Sequence, residues 1–568
     1  MMESNLLLEQ YGKFKKAELE ESPFRCLLDT NIEINPHQIN AFCAAIQALK
    51  TGGIVLADEV GLGKTIEAGL TLKYVLDSGA KRVLIALPAT LRKQWEIELE
   101  EKFGLESTIL DRFTVESEPT GWKTWLEDKS KVRIVLASYD YSSKLMKRFP
   151  NVKWDFIIID EAHNLAERGR EMYSASICRE DAVRVRKVMK ERAPRLYRSL
   201  GKPIKQLKEL QVDCGNYLVL PGTGSITMTI LKVQGEFDAF LEAHKDVELE
   251  DEVRKFYFDI RNFLNIAELI DENYVVYAEN GEDGLFRLKL FCVNPAVNLG
   301  EYLKKGRSAV FFSATLLPMN YYRKLLSNRQ DDYGIYVESP FSQKNRCILN
   351  AGDVSSLYSR RGYEEYHKIA EYIAKTVWQR KGNYMVFFPS YKMLEEVYAV
   401  YEEEFSVNWV KCICQNSSMK EQEREEFLQE FEQNQESLVA FCIMGGIFSE
   451  GIDLLGEKLI GAILVGTGLP QLGNEREILR SFYTENGENG FDYAYRYPGM
   501  NKVLQAAGRV IRTREDHGVI LLLDERFRQR EYSNLFPVEW NDRENCSLNT
   551  VQEKLKQFWE KAEDVSGK

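Results

Sequence analysis

The residues best equipped for chemistry in this 568-residue chain fall in two short stretches, one ending in a lysine and a threonine, the other in paired acids. In the first, Asp58, Glu59, Val60, Gly61, Leu62 and Gly63 lead into Lys64 and Thr65, between the apolar run Ile54, Val55, Leu56 and a helical stretch from Ile66 to Leu76. That order reads as strand, tight loop and helix start. Gly61 and Gly63 let the backbone come close and turn successive N–H groups inward, and a helix N-terminus adds partial positive charge, so the loop is built to hold a polyphosphate. Lys64 would reach the β- and γ-phosphates of ATP, and Thr65 would offer its hydroxyl to Mg²⁺. A strict phosphate loop wants glycine where Asp58 stands.

In the second stretch Phe156, Ile157, Ile158 and Ile159 form an apolar run that ends in Asp160 and Glu161, with Ala162 and His163 following. A buried strand there delivers two carboxylates to one sheet edge. Asp160 would hold Mg²⁺ through water, and Glu161 would orient and deprotonate an attacking water. Thr65 and Asp160 are 95 residues apart, room for two further strand-helix units. Those units are visible. Arg82 to Leu87 ends in Pro88-Ala89-Thr90-Leu91 before a helix with Trp95, and Val132 to Ala137 ends in Ser138-Tyr139. Loops at the carboxyl ends of parallel strands take ligands, so Thr90, Ser138 and Tyr139 are candidate contacts to a nucleic-acid phosphate. Upstream, Gln38 follows Pro36-His37 at the head of an amphipathic helix, and its amide suits the N6/N7 edge of adenine.

Residues 36–38, 56–70, 87–95 and 157–165 together resemble the first lobe of Swi/Snf-type ATPases, especially the bacterial branch associated with RNA polymerase. Residues 58–65 follow the Ala-x-x-Gly-x-Gly-Lys-Thr form of the phosphate loop that superfamily 2 helicases carry at every position but the first, where Asp58 stands. The second half has its own set: Tyr384 to Tyr391 with Ser390, Gly445 to Asp453 with Gly451, and Gln505 to Arg512. These, with Ser313-Ala314-Thr315, Ser339-Pro340-Phe341 and Tyr497 to Met500, resemble the second lobe of the DinG/XPD helicase group.

The resemblance implies an α/β fold of two RecA-like parallel-sheet lobes, with ATP and Mg²⁺ bound between them and a mainly helical, arch-like insertion in the first. It implies that Arg509 and Arg512, read as one helical turn apart, stabilise charge developing on the γ-phosphate from the opposite lobe. It places Gln505 near the attacking water or His163. His163, Ser313, Thr315, Gly451 and Asp453 would couple hydrolysis to movement, and Thr90, Ser138, Tyr139 and Ser390 would grip nucleic acid. The group's iron–sulfur cluster is not expected, since residues 96–155 hold no cysteine and Cys178 and Cys214 are too few.

The expected domains are a lead at 1–30, a first lobe at 31–165 completed by 295–335, an insertion at 166–294, a second lobe at 340–545 and a terminal helix at 546–568. Helices are expected from Ser176 to Gln211 and Glu236 to Asp271, with Tyr274–Tyr277 and Leu285–Val293 leading back into the sheet. The insertion carries two opposed charge blocks. Ten basic residues and one acidic residue lie between Arg184 and Lys208, and eight acidic residues and one lysine between Glu236 and Glu252. Arg184, Arg186 and Lys187 are therefore candidate contacts to a phosphate backbone.

Bulk properties fit a globular protein: 44% hydrophobic, 29% charged, net charge −12, and no apolar run near the roughly 18 residues a membrane span needs. Ten scattered cysteines and an N-terminus without a basic region and cleavage site fit the cytoplasm. Three functions fit the motifs: a DNA helicase that tracks a single strand, a duplex-DNA translocase that displaces proteins without unwinding, and a slowly turning ATP-gated clamp on DNA.

Overall fold

The computed structural model describes residues 30, 32, 36–49, 53–56, 64–117, 121–128, 130–244, 249–313, 316–327, 333–335, 341–433, 436–448, 454, 456–513 and 515–566. The chain enters through helix α1 (Pro36–Ala48) and strand β1 (Gly53–Leu56), then helix α2 (Lys64–Asp77). Next come β2 (Arg82–Leu87), α3 (Arg92–Phe103), β3 (Thr108–Ile109), β4 (Arg133–Ser138), α4 (Tyr139–Arg148) and β5 (Phe156–Ile159). β2 and β5 are buried along their whole length, as strands covered by helices on both faces must be.

Helix α5 (His163–Met172) follows β5 and leads into the insertion. There β6 (Ala175–Cys178) is followed by α6 (Arg179–Arg192), α7 (Pro194–Ser199) and α8 (Gly201–Asp213). β7 (Tyr217–Leu220), α9 (Ile226–Ala243), α10 (Asp251–Ala267), β8 (Tyr274–Asn280) and β9 (Phe286–Cys292) complete it. The helices differ from expectation. Ser176 lies in β6, the first helical block breaks at Ala193 because a residue before proline avoids helical backbone, and α9 begins at Ile226 instead of Glu236.

The two apolar runs near 274–293 do not rejoin the lobe's sheet. They pair antiparallel with each other, Tyr274 opposite Cys292, in a separate four-stranded sheet ordered β6-β9-β8-β7 among the described residues. The cause is local: Gly281 N–H donates to Leu285 O at 2.9 Å and Gly284 takes φ +74, so the turn closes a hairpin with almost no loop to order.

The chain returns through β10 (Ala309–Phe312), helix α11 (Met319–Leu326) and β11 (Tyr333–Ile335). The first parallel sheet then reads β11-β1-β10-β5-β2-β4-β3. A second parallel sheet uses β12 (Arg346–Ala351), β13 (Asn383–Phe388), helix α12 (Tyr391–Glu404), β14 (Val410–Cys414), β15 (Ser437–Ile443) and β16 (Gly461–Val465). Helix α13 (Asn474–Glu485), a π-helical stretch Asp492–Arg496 and α14 (Tyr497–Ala507) precede β17 (Gly518–Leu523) and β18 (Glu544–Cys546). Their order is β14-β15-β13-β16-β17-β12-β18, and α15 (Val551–Ser566) ends the chain.

The seam between the two sheets is not purely polar. Ile478, Leu479, Tyr483, Tyr493 and Tyr495 belong to the same buried cluster as the first lobe and the insertion. Tyr321 meets Tyr493 and Tyr497 at 5.1 and 5.0 Å between ring centres. At the start of α13, Asn474 donates to Glu279 at 2.9 Å, Glu475 pairs with Lys289 at 3.2 Å and Arg476 pairs with Glu167.

Candidate active site

Lys64 and Thr65 are the first two residues of α2, both half-buried. Asp58, Glu59, Val60, Gly61, Leu62 and Gly63 lie outside the described residues, as do Thr315, Gly451 and Asp453. One strand beyond β10, β5 ends and its chain delivers Asp160, 8% exposed, beside the loop that follows β2.

Three elements hold the Asp160-Glu161 corner. Asp160 N–H donates to Ala86 O at 3.0 Å, Trp95 Nε1–H donates to Asp160 Oδ2 at 2.7 Å, and Glu161 N–H donates to Asp160 Oδ1 at 2.9 Å. Tyr139, on α4, donates its hydroxyl to Asp160 O and, at 3.1 Å, to Glu161 O. Glu161 takes φ +47, a left-handed conformation that side-chain-bearing residues seldom adopt, and the surrounding bonds hold it there.

The two carboxyls are pushed apart in proton affinity. Burial raises Asp160, and the charge on Glu161 raises it further against the Trp95 N–H and the Lys64 ammonium. Burial also raises Glu161, but the His163 hydrogen bond and charge, then Lys64 and Arg509, more than reverse this and hold it ionised. A corner with one base kept ionised and a second, buried carboxyl beside a lysine fits a divalent cation, which would relieve the repulsion that burdens Asp160. Thr65, on the first turn of α2, and Asp160 are the residues that could hold it.

The second lobe reaches this corner directly. Gln505, near the end of α14, meets His163 Nε2 through its amide at 2.6 Å, and His163 Nδ1 faces Ser313 Oγ at 2.7 Å and Glu161 Oε2 at 3.3 Å. His163, Ser313 and Gln505 are all buried. Arg509 lies close enough to bear on Glu161, and Arg512 is drawn electrostatically to the same carboxylate. The two arginines do not share a helical face. α14 stops at Ala507, with Gly508 at its cap, and the chain turns. Asp516 then accepts from the N–H groups of Arg512 and Thr513, both at 2.7 Å, so a carboxylate rather than a helix sets Arg512 in place.

The residues expected at nucleic acid divide. Thr90 is exposed. Ser138 and Ser390 cap α4 and α12, accepting from Tyr141 N–H at 3.2 Å and Met393 N–H at 3.3 Å. Tyr139 is not at the surface: it is 7% exposed and turned onto the acidic corner, because the strand-end turn points it back across the sheet. Arg184 is exposed and paired with Asp181, and Lys187 is exposed. Arg186 stacks on Tyr197, 4.4 Å from its ring centre, and donates to Tyr197 O, so it builds the insertion rather than its surface. Gln38 is 2% exposed on α1, which packs on α2 through Phe42 and Tyr74.

Trp95 and the true place of Tyr139 escape the sequence. Trp95 falls in the buried stripe Trp95, Leu99, Phe103 of α3, indistinguishable by spacing from core packing.

Two parallel sheets joined at such a corner resemble the architecture of superfamily 2 helicase-type ATPases, and two domain models match the chain, one on each side of the insertion. Residues 37–181 match the SNF2-related domain and residues 373–543 the Helicase C-terminal domain. The RNA polymerase-associated protein RapA of Vibrio campbellii is 34% identical over 168 residues, 28% of this chain and 17% of that protein. RapA of Vibrio parahaemolyticus is 33% identical over 171 residues, again 28% and 17%. The matched segment is thus a small part of those relatives. Among solved structures, S. tokodaii Xpd4 overlays with a TM-score of 0.61 at 18% identity, covering 90% of this chain and all of that one. An XPD helicase structure gives 0.58 at 16%, covering 91% and 100%. At these identities the likeness is one of fold.

Proposed function

We propose that the chain is an ATP-driven DNA motor, hydrolysing ATP between its lobes to move along DNA and separate its strands. The carrying observation is the contact of Gln505 with His163, beside a Glu161 on which Lys64, Arg509 and Arg512 converge. Lys64 would bind the β- and γ-phosphates. Glu161, kept ionised, would take the proton of the attacking water, with His163 orienting it. Arg509 and Arg512 would meet the charge that develops on the γ-phosphate. Thr65 and Asp160 would hold magnesium, which when bound would supply positive charge against the phosphates. Loss of the γ-phosphate removes what ties the arginines to the first lobe, and the lobes part.

Nucleic acid would run over the exposed ends of the parallel sheets, past Thr90, and along the insertion, where Lys187, Lys190, Arg195 and Lys202 are exposed and make no ion pair among the described residues. The SNF2-related match of residues 37–181 favours a second reading, a translocase that tracks duplex DNA and displaces bound protein without unwinding. ATP hydrolysis measured with single-stranded DNA, duplex DNA and RNA, beside strand-displacement and triplex-displacement assays, separates the two. Unwinding supports the first, third-strand removal alone the second. Absence of hydrolysis with every nucleic acid, or full turnover by Glu161→Gln, overturns the motor.

A further inference from the structure

Helix α3 buries Trp95, Leu99 and Phe103 on one face. Leu99 and Phe103 do only what apolar side chains do; Phe103 lies so close under α2 that a Cβ at Gly69 would stand 2.3 Å from its ring. Trp95 adds a polar atom. It is 3% exposed, yet its indole nitrogen is not idle: Nε1–H donates to Asp160 Oδ2 at 2.7 Å, across 65 residues of chain. An indole N–H can only donate, so Asp160 Oδ2 is fixed as the acceptor of this pair.

The remaining atoms of Asp160 are held by other partners. Oδ1 takes Glu161 N–H, the peptide nitrogen bonds to Ala86 of β2, and the carbonyl takes the Tyr139 hydroxyl. β2 and α4 therefore fix the backbone, while Trp95, from outside the corner, fixes the direction of the carboxylate plane. Each carboxylate oxygen gives up one lone pair to these bonds and keeps another for a ligand.

We propose that Trp95 is a positioning residue for the magnesium-bound nucleotide: its N–H holds the Asp160 carboxylate at the angle that receives the metal's coordinated water. The inference rests on the reading of Asp160 as the carboxylate on the metal side. α3 starts from the loop after β2, and β2 is the hydrogen-bonded neighbour of β5, so the sheet itself places the indole beside the acid. Outer partners of metal-side ligands matter by about 10- to 100-fold in metal affinity when removed.

The test is a metal titration with two variants. Trp95→Phe keeps a buried ring and removes the N–H. A second protein carries benzothienylalanine at position 95, an isostere of tryptophan with sulfur in place of N–H, which preserves the packing if Trp95→Phe does not fold. Mn²⁺ binding is read by electron paramagnetic resonance with a non-hydrolysable ATP analogue, and affinity for the analogue is read separately without metal. Both variants should bind Mn²⁺ about 10- to 100-fold more weakly, with metal-free nucleotide affinity unchanged. Mn²⁺ affinity equal to the parent's in the isostere overturns the proposal, as does equal loss of metal-free nucleotide binding, which marks Trp95 as packing alone. Asp160→Asn is the reference. If it too binds Mn²⁺ normally, the reading of Asp160 fails; if it loses Mn²⁺ while the isostere keeps it, only the role of Trp95 fails.

Discussion

The imidazole of His163 and the amide of Gln505 meet at 2.6 Å, although they stand 342 positions apart in the chain. One ring thus joins the carboxylate of Glu161, the first-lobe Ser313 and the second lobe.

A double-mutant cycle tests that joint. His163→Ala, Gln505→Ala and the double variant should show a coupling of about 1 kcal/mol in kcat, the net worth of one buried hydrogen bond. Strictly additive losses would show that the contact plays no part in turnover.

Arg512→Lys keeps a positive charge but loses the planar fork that fits phosphate oxygens. Nucleic-acid-stimulated kcat should fall about a thousandfold, the scale of an arginine finger. A loss below tenfold would remove Arg512 from that role.

The basic face of the insertion is best probed without Arg186, whose stacking on Tyr197 makes it part of the fold. Charge reversal of Lys187, Lys190, Arg195 and Lys202 should weaken DNA binding. The logarithmic salt dependence should become shallower by about 0.7 to 0.9 for each phosphate no longer neutralised. Parallel binding curves for variant and parent across salt concentrations would place DNA elsewhere.

Asp524, fully buried, ties the ends of β17 and β12 together: it accepts from Ser356 N–H and Oγ–H at 2.9 and 2.7 Å and from Arg526 Nε at 2.8 Å. Burial raises its carboxyl, but the Arg526 hydrogen bonds and charge and the Ser356 hydroxyl outweigh this and hold it below the usual range. A depressed folded value means stabilisation that is complete above the unfolded value of about 4 and lost as pH falls through the folded one. Asp524→Asn should therefore cost about 3 kcal/mol at pH 7, with the gap in denaturant midpoint closing in acid. A gap constant down to pH 2 would contradict the assignment.

The two parallel sheets and the corner residues Lys64, Asp160, Glu161 and Gln505 are legible in the sequence because each sits within a few residues of a strand end or helix end that its own neighbours specify. Trp95 and Tyr139 are not, since their partners are brought beside them by strand order, which no local pattern encodes. The pairing of β8 with β9 escapes for a related reason: an apolar run states that it is a strand, not which sheet takes it. A single residue, Gly508, separates the two arginines from their expected shared face, ending a helix that periodicity alone would continue. Asp516, which sets Arg512, has no motif around it to mark its task.

The π-helical stretch and α14 form one continuous rod whose beginning and end serve different bodies. At Tyr493 the rod is embedded in the aromatic cluster shared with the first lobe, and at Gln505 it touches His163. Tyr493 and Gln505 stand 12 positions apart, about 18 Å of helical rise. Such a rod acts as a lever arm with its fulcrum in the tyrosines, so an angular change of a few degrees at the aromatic end is delivered to the imidazole as a displacement of an ångström or so, enough to make or break one hydrogen bond.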